Sequence, residues 1–298
     1  MLLLAFVAVF PDTLTGYLMI GPSVVRENEA NAQYDAGTLP FTVSVRPDDS
    51  EPELWAVVLD RPLTRAERKK LVAVKNDRSG AFAYLKELGG RPLADVATLE
   101  DAPERYKEQL AAAHAYGQYA DVFRLNVMST RSTSVVIDDW RVTDVTCRKS
   151  TGHTIVVLPE QGGSSYEGLQ LHIPPLAGEP VVADDAEGQG EPYFSDHYIE
   201  VGGGQSAAGF KVHAIAPWGK SCQWGIKFRY TDSHQVVRWV QAKDGNGKPL
   251  RIRTDSTPQD VQEDWTFIVD PWRLCRSSPT HDCTISAAGS HGSPPTSP

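Results

Sequence analysis

The sequence predicts a mainly β protein: a β-sandwich of antiparallel strands, a short helical subregion and an N-terminal transmembrane helix. Three observations carry this expectation. Apolar residues alternate with polar ones throughout the C-terminal half, Gly- and Pro-rich turns separate those runs without intervening helices, and an uncharged apolar run opens the chain.

The opening run is Leu2-Leu3-Leu4-Ala5-Phe6-Val7-Ala8-Val9-Phe10. It meets Pro11-Asp12, and apolar character resumes through Leu14, Tyr17, Leu18, Met19 and Ile20. A membrane-spanning helix needs about 20 mostly apolar residues, so residues 1–21 read as a membrane anchor with Asp12 as its costly member. Two other readings stay open. A signal peptide fits the run length but lacks a basic flank and an A-x-A-like site, and a buried core strand fits the composition. The run starts at Met1 with no Lys or Arg before it, for which a natural start further upstream is one explanation.

Residues 22–53 turn polar, without a sustained period, and read as an exposed linker. Residues 54–117 read as a mixed helical subregion. It opens with a strand at 54–59, and a first helix follows Thr64, which has capping-box spacing to Glu67. A second short helix is expected after Ser79, carrying Phe82, Leu85 and Leu88 and ended by Gly89-Gly90. A third, from 102 to about 116, has Pro103 in its first turn and an apolar face of Tyr106, Leu110 and Ala113.

After Gly117 the period changes to two, and residues 118–275 form the expected sandwich. Phe123, Leu125 and Val127 alternate with Arg124 and Asn126. The same holds for Leu169, Leu171 and Ile173, for Phe210, Val212 and Ala214, and most cleanly for Trp224, Ile226, Phe228 and Tyr230. Turns at 231–234 and 244–247 separate a meander, and a last strand lies at 265–269 before Asp270-Pro271. Residues 276–298, rich in Ser, Pro, Gly and His, read as a disordered tail.

Four cysteines, Cys147, Cys222, Cys275 and Cys283, make no CxxC pair, which speaks against a zinc site. An even count beside a membrane-targeting segment suggests disulfides in an oxidising compartment. Three pairings are open. The favoured one joins Cys147 to Cys222 across the sandwich and closes the C-terminal segment with Cys275–Cys283; free buried thiols are the other reading.

The chain resembles a loose group of actinobacterial membrane-anchored proteins of unknown function. The resemblance rests on Asp12-Thr13-Leu14-Thr15-Gly16, on Pro192-Tyr193-Phe194 leading to Ile199 and Val201, and on Cys222-Gln223-Trp224 with Phe228-Arg229-Tyr230. Asp244-Gly245 and Lys248-Pro249-Leu250 complete it. It covers the apolar segment and the C-terminal half, and implies one N-terminal transmembrane helix followed by an extracytoplasmic β-domain. It brings no activity and no catalytic residues.

Motifs for chemistry are absent from the sequence. The 202–209 loop, Gly202-Gly203-Gly204-Gln205-Ser206, has neither a Gly-Lys-Ser/Thr ending nor a G-x-S-x-G frame. Asp184, Asp185, Glu187 and Asp196 lack calcium-loop spacing and read as a solvated acidic loop. His172 and His213 occupy outward positions of their strands and read as surface residues. Asp138-Asp139 would suit a glycosidase only with a partner that sequence cannot place. A net charge of −9, with no clustered basic surface, argues against nucleic acid. Neither cofactor nor metal is expected.

Among the indoles, Trp224 and Trp265 fit core alternation, whereas Trp218 and Trp272 stand beside prolines in loops and are the candidate ligand contacts. The expected function is a non-catalytic, membrane-tethered binding or interaction module, bound to the membrane through its N-terminal segment and meeting envelope proteins or glycans. The alternative is a cell-envelope hydrolase acting on glycan or ester substrates.

Overall fold

Phe123, Leu125 and Val127 project from one face of a strand and are buried, and the same alternation on its neighbours generates two sheets with a shared core. The computed structural model describes residues 29–274 except positions 32, 36, 49, 53, 97–98, 114–115, 159–167, 184–187, 205–206 and 268–271. The anchor expected over 1–21, the tail over 276–298 and the expected Cys275–Cys283 bridge therefore lie outside the described residues. No described helix is long and apolar enough to cross a membrane.

The chain runs through β1 (Thr42–Pro47), β2 (Trp55–Leu59), α1 (Arg65–Ala73), α2 (Arg78–Glu87), β3 (Arg91–Asp95), α3 (Glu104–Ala112), β4 (Tyr119–Met128), β5 (Ser134–Lys149), β6 (Thr154–Leu158) and β7 (Leu169–His172). It continues through β8 (Val181–Val182), α4 (Tyr193–Asp196), β9 (Ile199–Gly202), β10 (Ala208–Ile215), β11 (Lys220–Thr231), β12 (Val237–Gln241), β13 (Ile252–Asp255), β14 (Glu263–Phe267) and β15 (Trp272–Leu274).

The larger sheet has the order β15-β14-β6-β2-β3-β4-β10-β7-β8, with β1 also on β4, and the smaller has β12-β11-β5-β9, with β13 also on β11. The protein is mainly β, as expected, but the larger sheet is mixed: β10 with β7 and β14 with β6 are parallel pairs. Each joins strands distant in sequence, and a parallel pair requires such a crossover connection. Local alternation reveals a strand but not the neighbour it will find.

The main core lies between the sheets. Leu125, Leu171, Val212 and Ala214 from the larger sheet meet Ile137, Trp224, Ile226 and Phe228 from the smaller. A second core covers the other end of the larger sheet, where Leu71 of α1 and Phe82 and Leu85 of α2 pack on Trp55, Val57, Val156, Trp265 and Trp272. The 54–117 segment thus shares its sheet with 118–275, because β2 pairs with β6 and β3 with β4. The stretch read as a linker contains β1, which pairs with β4 and buries Val43.

The capping signals place the helices. Thr64 Oγ1 accepts from Glu67 N at 3.3 Å while Thr64 N donates to Glu67 Oε2 at 2.7 Å, so the capping box at α1 is complete. α2 is capped two residues earlier than Ser79 would place it, since Asp77 Oδ1 accepts from Gly80 N at 2.8 Å. α3 is shorter than the expected 102–116: Pro103 is its N-cap rather than part of its first turn, and the helix ends at Ala112.

Candidate functional site

Cys147 and Cys222 form a disulfide. They are register partners on the adjacent strands β5 and β11, so the bond ties neighbours within the smaller sheet rather than crossing between sheets. Cys222 lies in the core while Cys147 is exposed.

The two indoles singled out from sequence separate. Trp218 is 40% exposed on the loop between β10 and β11. That loop is fixed: Pro217 O accepts from Ser256 Oγ at 2.8 Å and from Lys220 N at 3.0 Å. Trp272, expected in a loop, is instead on β15 and is only 2% exposed. β15 folds back antiparallel on β14, and its indole stacks on Trp55 with centroids 5.7 Å apart and lies 5.3 Å from Phe267.

His172 and His213 are also buried. They point away from the main core, as the alternation requires, and at His172 that face is covered by Tyr116 and by Tyr106 of α3, which meets the same Glu179 carboxylate. Leu99, Ala102 and Tyr106 pack there with Val181 and Ala183 of the β8 end. Burial drives the His213 imidazole down to about 4, with the Lys211 ammonium adding to the effect, so the ring is neutral at neutral pH.

Beneath the same cover lies the Glu179 carboxylate, whose side chain is fully buried. Oε1 is 2.5 Å from His172 Nδ1 and accepts from the Tyr106 hydroxyl at 2.6 Å. Oε2 accepts from the backbone N–H groups of His172 at 2.7 Å and Leu176 at 2.8 Å. Burial and the neighbouring carboxylate push the Tyr106 phenol far above its ordinary range. With four donors in place, Glu179 has its acceptor capacity filled. It locks the 172–179 loop, and it has no lone pair left for a substrate proton.

A second charged cluster joins the two sheets. Asp255 is ion-paired with Arg91 Nε at 3.2 Å and Arg253 Nε at 3.0 Å. Arg91 also forks onto Asp60 at 2.8 and 3.0 Å, and that contact holds the Asp60 carboxyl below its usual range. Behind them, burial first and the Asp255 charge second raise the Asp121 carboxyl to about 7.

The outer face of the smaller sheet is different, because its groups are open to solvent. Phe228 and Tyr230 face the core, so Lys227, Arg229 and Thr231 face outward between them. Across the ladder their register partners are Gln241, Trp239 and Val237 on β12, and Arg141 and Asp139 on β5 opposite Lys227 and Arg229. Trp239 is 38% and Val237 58% exposed. The Arg141 guanidinium reaches across β11 to stand 4.3 Å from the Trp239 ring centre, a cation–π contact. Arg229 Nε donates to Asp138 Oδ1 at 2.8 Å, and Arg229 lies 3.7 Å from Asp139.

Asp138 and Asp139 are thus arginine partners. Asp196 sits beside Ser195 at 3.1 Å, whereas Asp184, Asp185 and Glu187 lie outside the described residues. Among the described residues no group of His, Cys, Asp and Glu could hold a metal ion. Sequence reasoning missed Trp239, Arg141 and Lys227 as a set. The run Val236-Val237-Arg238-Trp239-Val240 does not alternate cleanly, so it gives no facing for Trp239. Compared with protein-family models, curated proteins and solved structures, the chain matches none of them.

Proposed function

We propose that this chain is a membrane-tethered, extracytoplasmic binding module, non-catalytic, that presents the outer face of its smaller sheet to the cell envelope. The two facing sheets are read as a β-sandwich platform. The carrying observation is Trp239: an indole left exposed on a sheet face, held under Arg141 and beside Lys227. An aromatic ring fixed by its neighbours offers contact area at low entropic cost. The uncharged run over 2–10 supports the tether, and the Cys147–Cys222 bond supports an oxidising compartment.

The hydrolase reading has one observation in its favour, the Asp121–Asp255 pair with its raised carboxyl. It ranks second because Asp255 is committed to Arg91 and Arg253 and its side chain is only 4% exposed. Co-sedimentation of the full chain, in mild detergent, with purified insoluble cell-wall material tests the binding reading. Retention that falls several-fold in Trp239→Ala is the expected result. Equal retention of both proteins removes the outer face from the function.

A further inference from the structure

Lys227 and Arg141 are register partners on β11 and β5, and both are exposed. Like charges directly opposite on a sheet face destabilise the pairing; the Arg141–Trp239 contact offsets part of this for Arg141 but gives Lys227 no folding role. The carboxylates beside them do not relieve it, because Asp138 and Asp139 both face Arg229. Arg141 turns over β11 toward Trp239 and so stays on the Lys227 side. Two positive charges without an ion-pair partner among the described residues thus flank one exposed ring, on a chain of net charge −9.

The next positions along the ladder are hydrogen-bonding groups. Gly225 lies opposite Thr143. A Cβ there would fall 2.9 Å from Gln241 Nε2 and 3.2 Å from Thr143 Oγ1. Its absence lets the amide and the hydroxyl meet over β11 at 3.4 Å, beside Lys227. The face therefore offers, in order, an amide–hydroxyl pair, a pair of cations and an aromatic ring.

We infer that the ligand of this face is an anionic saccharide, its ring packed against the exposed part of Trp239 that Arg141 leaves open and its carboxylate or phosphate held between Arg141 and Lys227. The inference rests on the binding-module reading above. Each group has a counterpart in such a ligand: the ring C–H surface for the indole, hydroxyls for Gln241 and Thr143, and the anion for the two cations. Lys227 is of a type depleted at protein interfaces, whereas arginine and tryptophan are enriched there, so the choice of a saccharide over a protein rests on the paired cations of Arg141 and Lys227. The local positive pair on an acidic protein also favours an anion over a neutral sugar by complementarity.

Calorimetric titration of the full chain in mild detergent tests this, with oligogalacturonate against its methyl ester and phosphorylated dextran against dextran. One anionic probe should bind at least about tenfold tighter than its neutral counterpart, a difference of about 1.4 kcal/mol, and should weaken as salt is raised. Which of the two does so identifies carboxylate or phosphate. Arg141→Gln with Lys227→Gln should abolish that tenfold preference. If neither anionic probe exceeds its neutral counterpart, the inference fails while the module reading stands. If Trp239→Ala also leaves wall retention unchanged, both fail.

Discussion

Asp121 on β4 and Asp255 on β13 meet between the two sheets, the Asp255 backbone N–H donating to Asp121 Oδ2 at 3.3 Å. One carboxylate is satisfied by two guanidinium groups; the other stands behind it in a desolvated position. Arg91 from β3 and Arg253 from β13 are the cations that face the pair.

This arrangement dictates a pH dependence. The Asp121 carboxyl, ordinarily near 3.8, is raised to about 7, so the folded chain keeps a proton that the unfolded chain releases above about pH 4. Wherever the native state holds more protons, stability falls as pH rises. The contribution is absent below about pH 4, grows unfavourable up to about pH 7 and is constant above. Asp121→Asn removes the charge and should stabilise the protein at pH 8 by on the order of 1–4 kcal/mol, and by little at pH 4. Urea unfolding at pH 4, 6 and 8 reads this directly. A variant whose stability keeps the same pH slope would assign the titration to another group.

The Cys147–Cys222 bond makes the compartment testable. It closes a separation of 75 residues, for which the chain-entropy account gives a stabilisation of about 4 kcal/mol. A domain outside the cytoplasm should carry the bond quantitatively when purified under non-reducing conditions, and proteases added to intact cells should reach it. Mass mapping of thiol-blocked protein from shaved and unshaved cells gives both readouts. Protection from protease together with reduced Cys147 and Cys222 would place the domain inside the cell and remove the envelope from its function.

How far the sequence carried this picture depends on the range of each signal. The capping box at Thr64 and Glu67 and the burial of Trp224 are consequences of neighbours a few residues away, and both are visible in the chain. The pairing of Cys147 with Cys222 was one of three open choices, and its placement within one sheet depended on β5 lying beside β11. His213 alternates as an outward residue and is outward, yet it is buried; alternation gives the face of a side chain but not what covers that face. Asp121, Asp255 and Arg91 come from three distant strands, so no spacing could announce them. Trp239 was hidden for a local reason, its apolar neighbours Val237 and Val240 blurring the period that would have shown its face.

Trp272 and Trp218 give the sharpest contrast, because each stands beside a proline and a sequence reading treats them alike. Trp272 fills the second core between Trp55 and Phe267; deleting a buried indole loses its transfer free energy and leaves a cavity that stiff neighbours cannot close. Trp272→Ala should therefore cost about 3–5 kcal/mol. The Trp218 side chain is substantially in water, and the loop beneath it is held by the Pro217 carbonyl rather than by the ring. Trp218→Ala should change stability by less than about 0.5 kcal/mol. Urea midpoints of the two variants decide it: a large loss for Trp218→Ala, or a small one for Trp272→Ala, would mean that the packing of β15 on β14 is not as described. That packing is also what joins the helical end of the larger sheet to the last strands of the chain. A Trp272 result of the expected size would thus mark Trp55, Phe82, Trp265 and Phe267 as parts of one core with it.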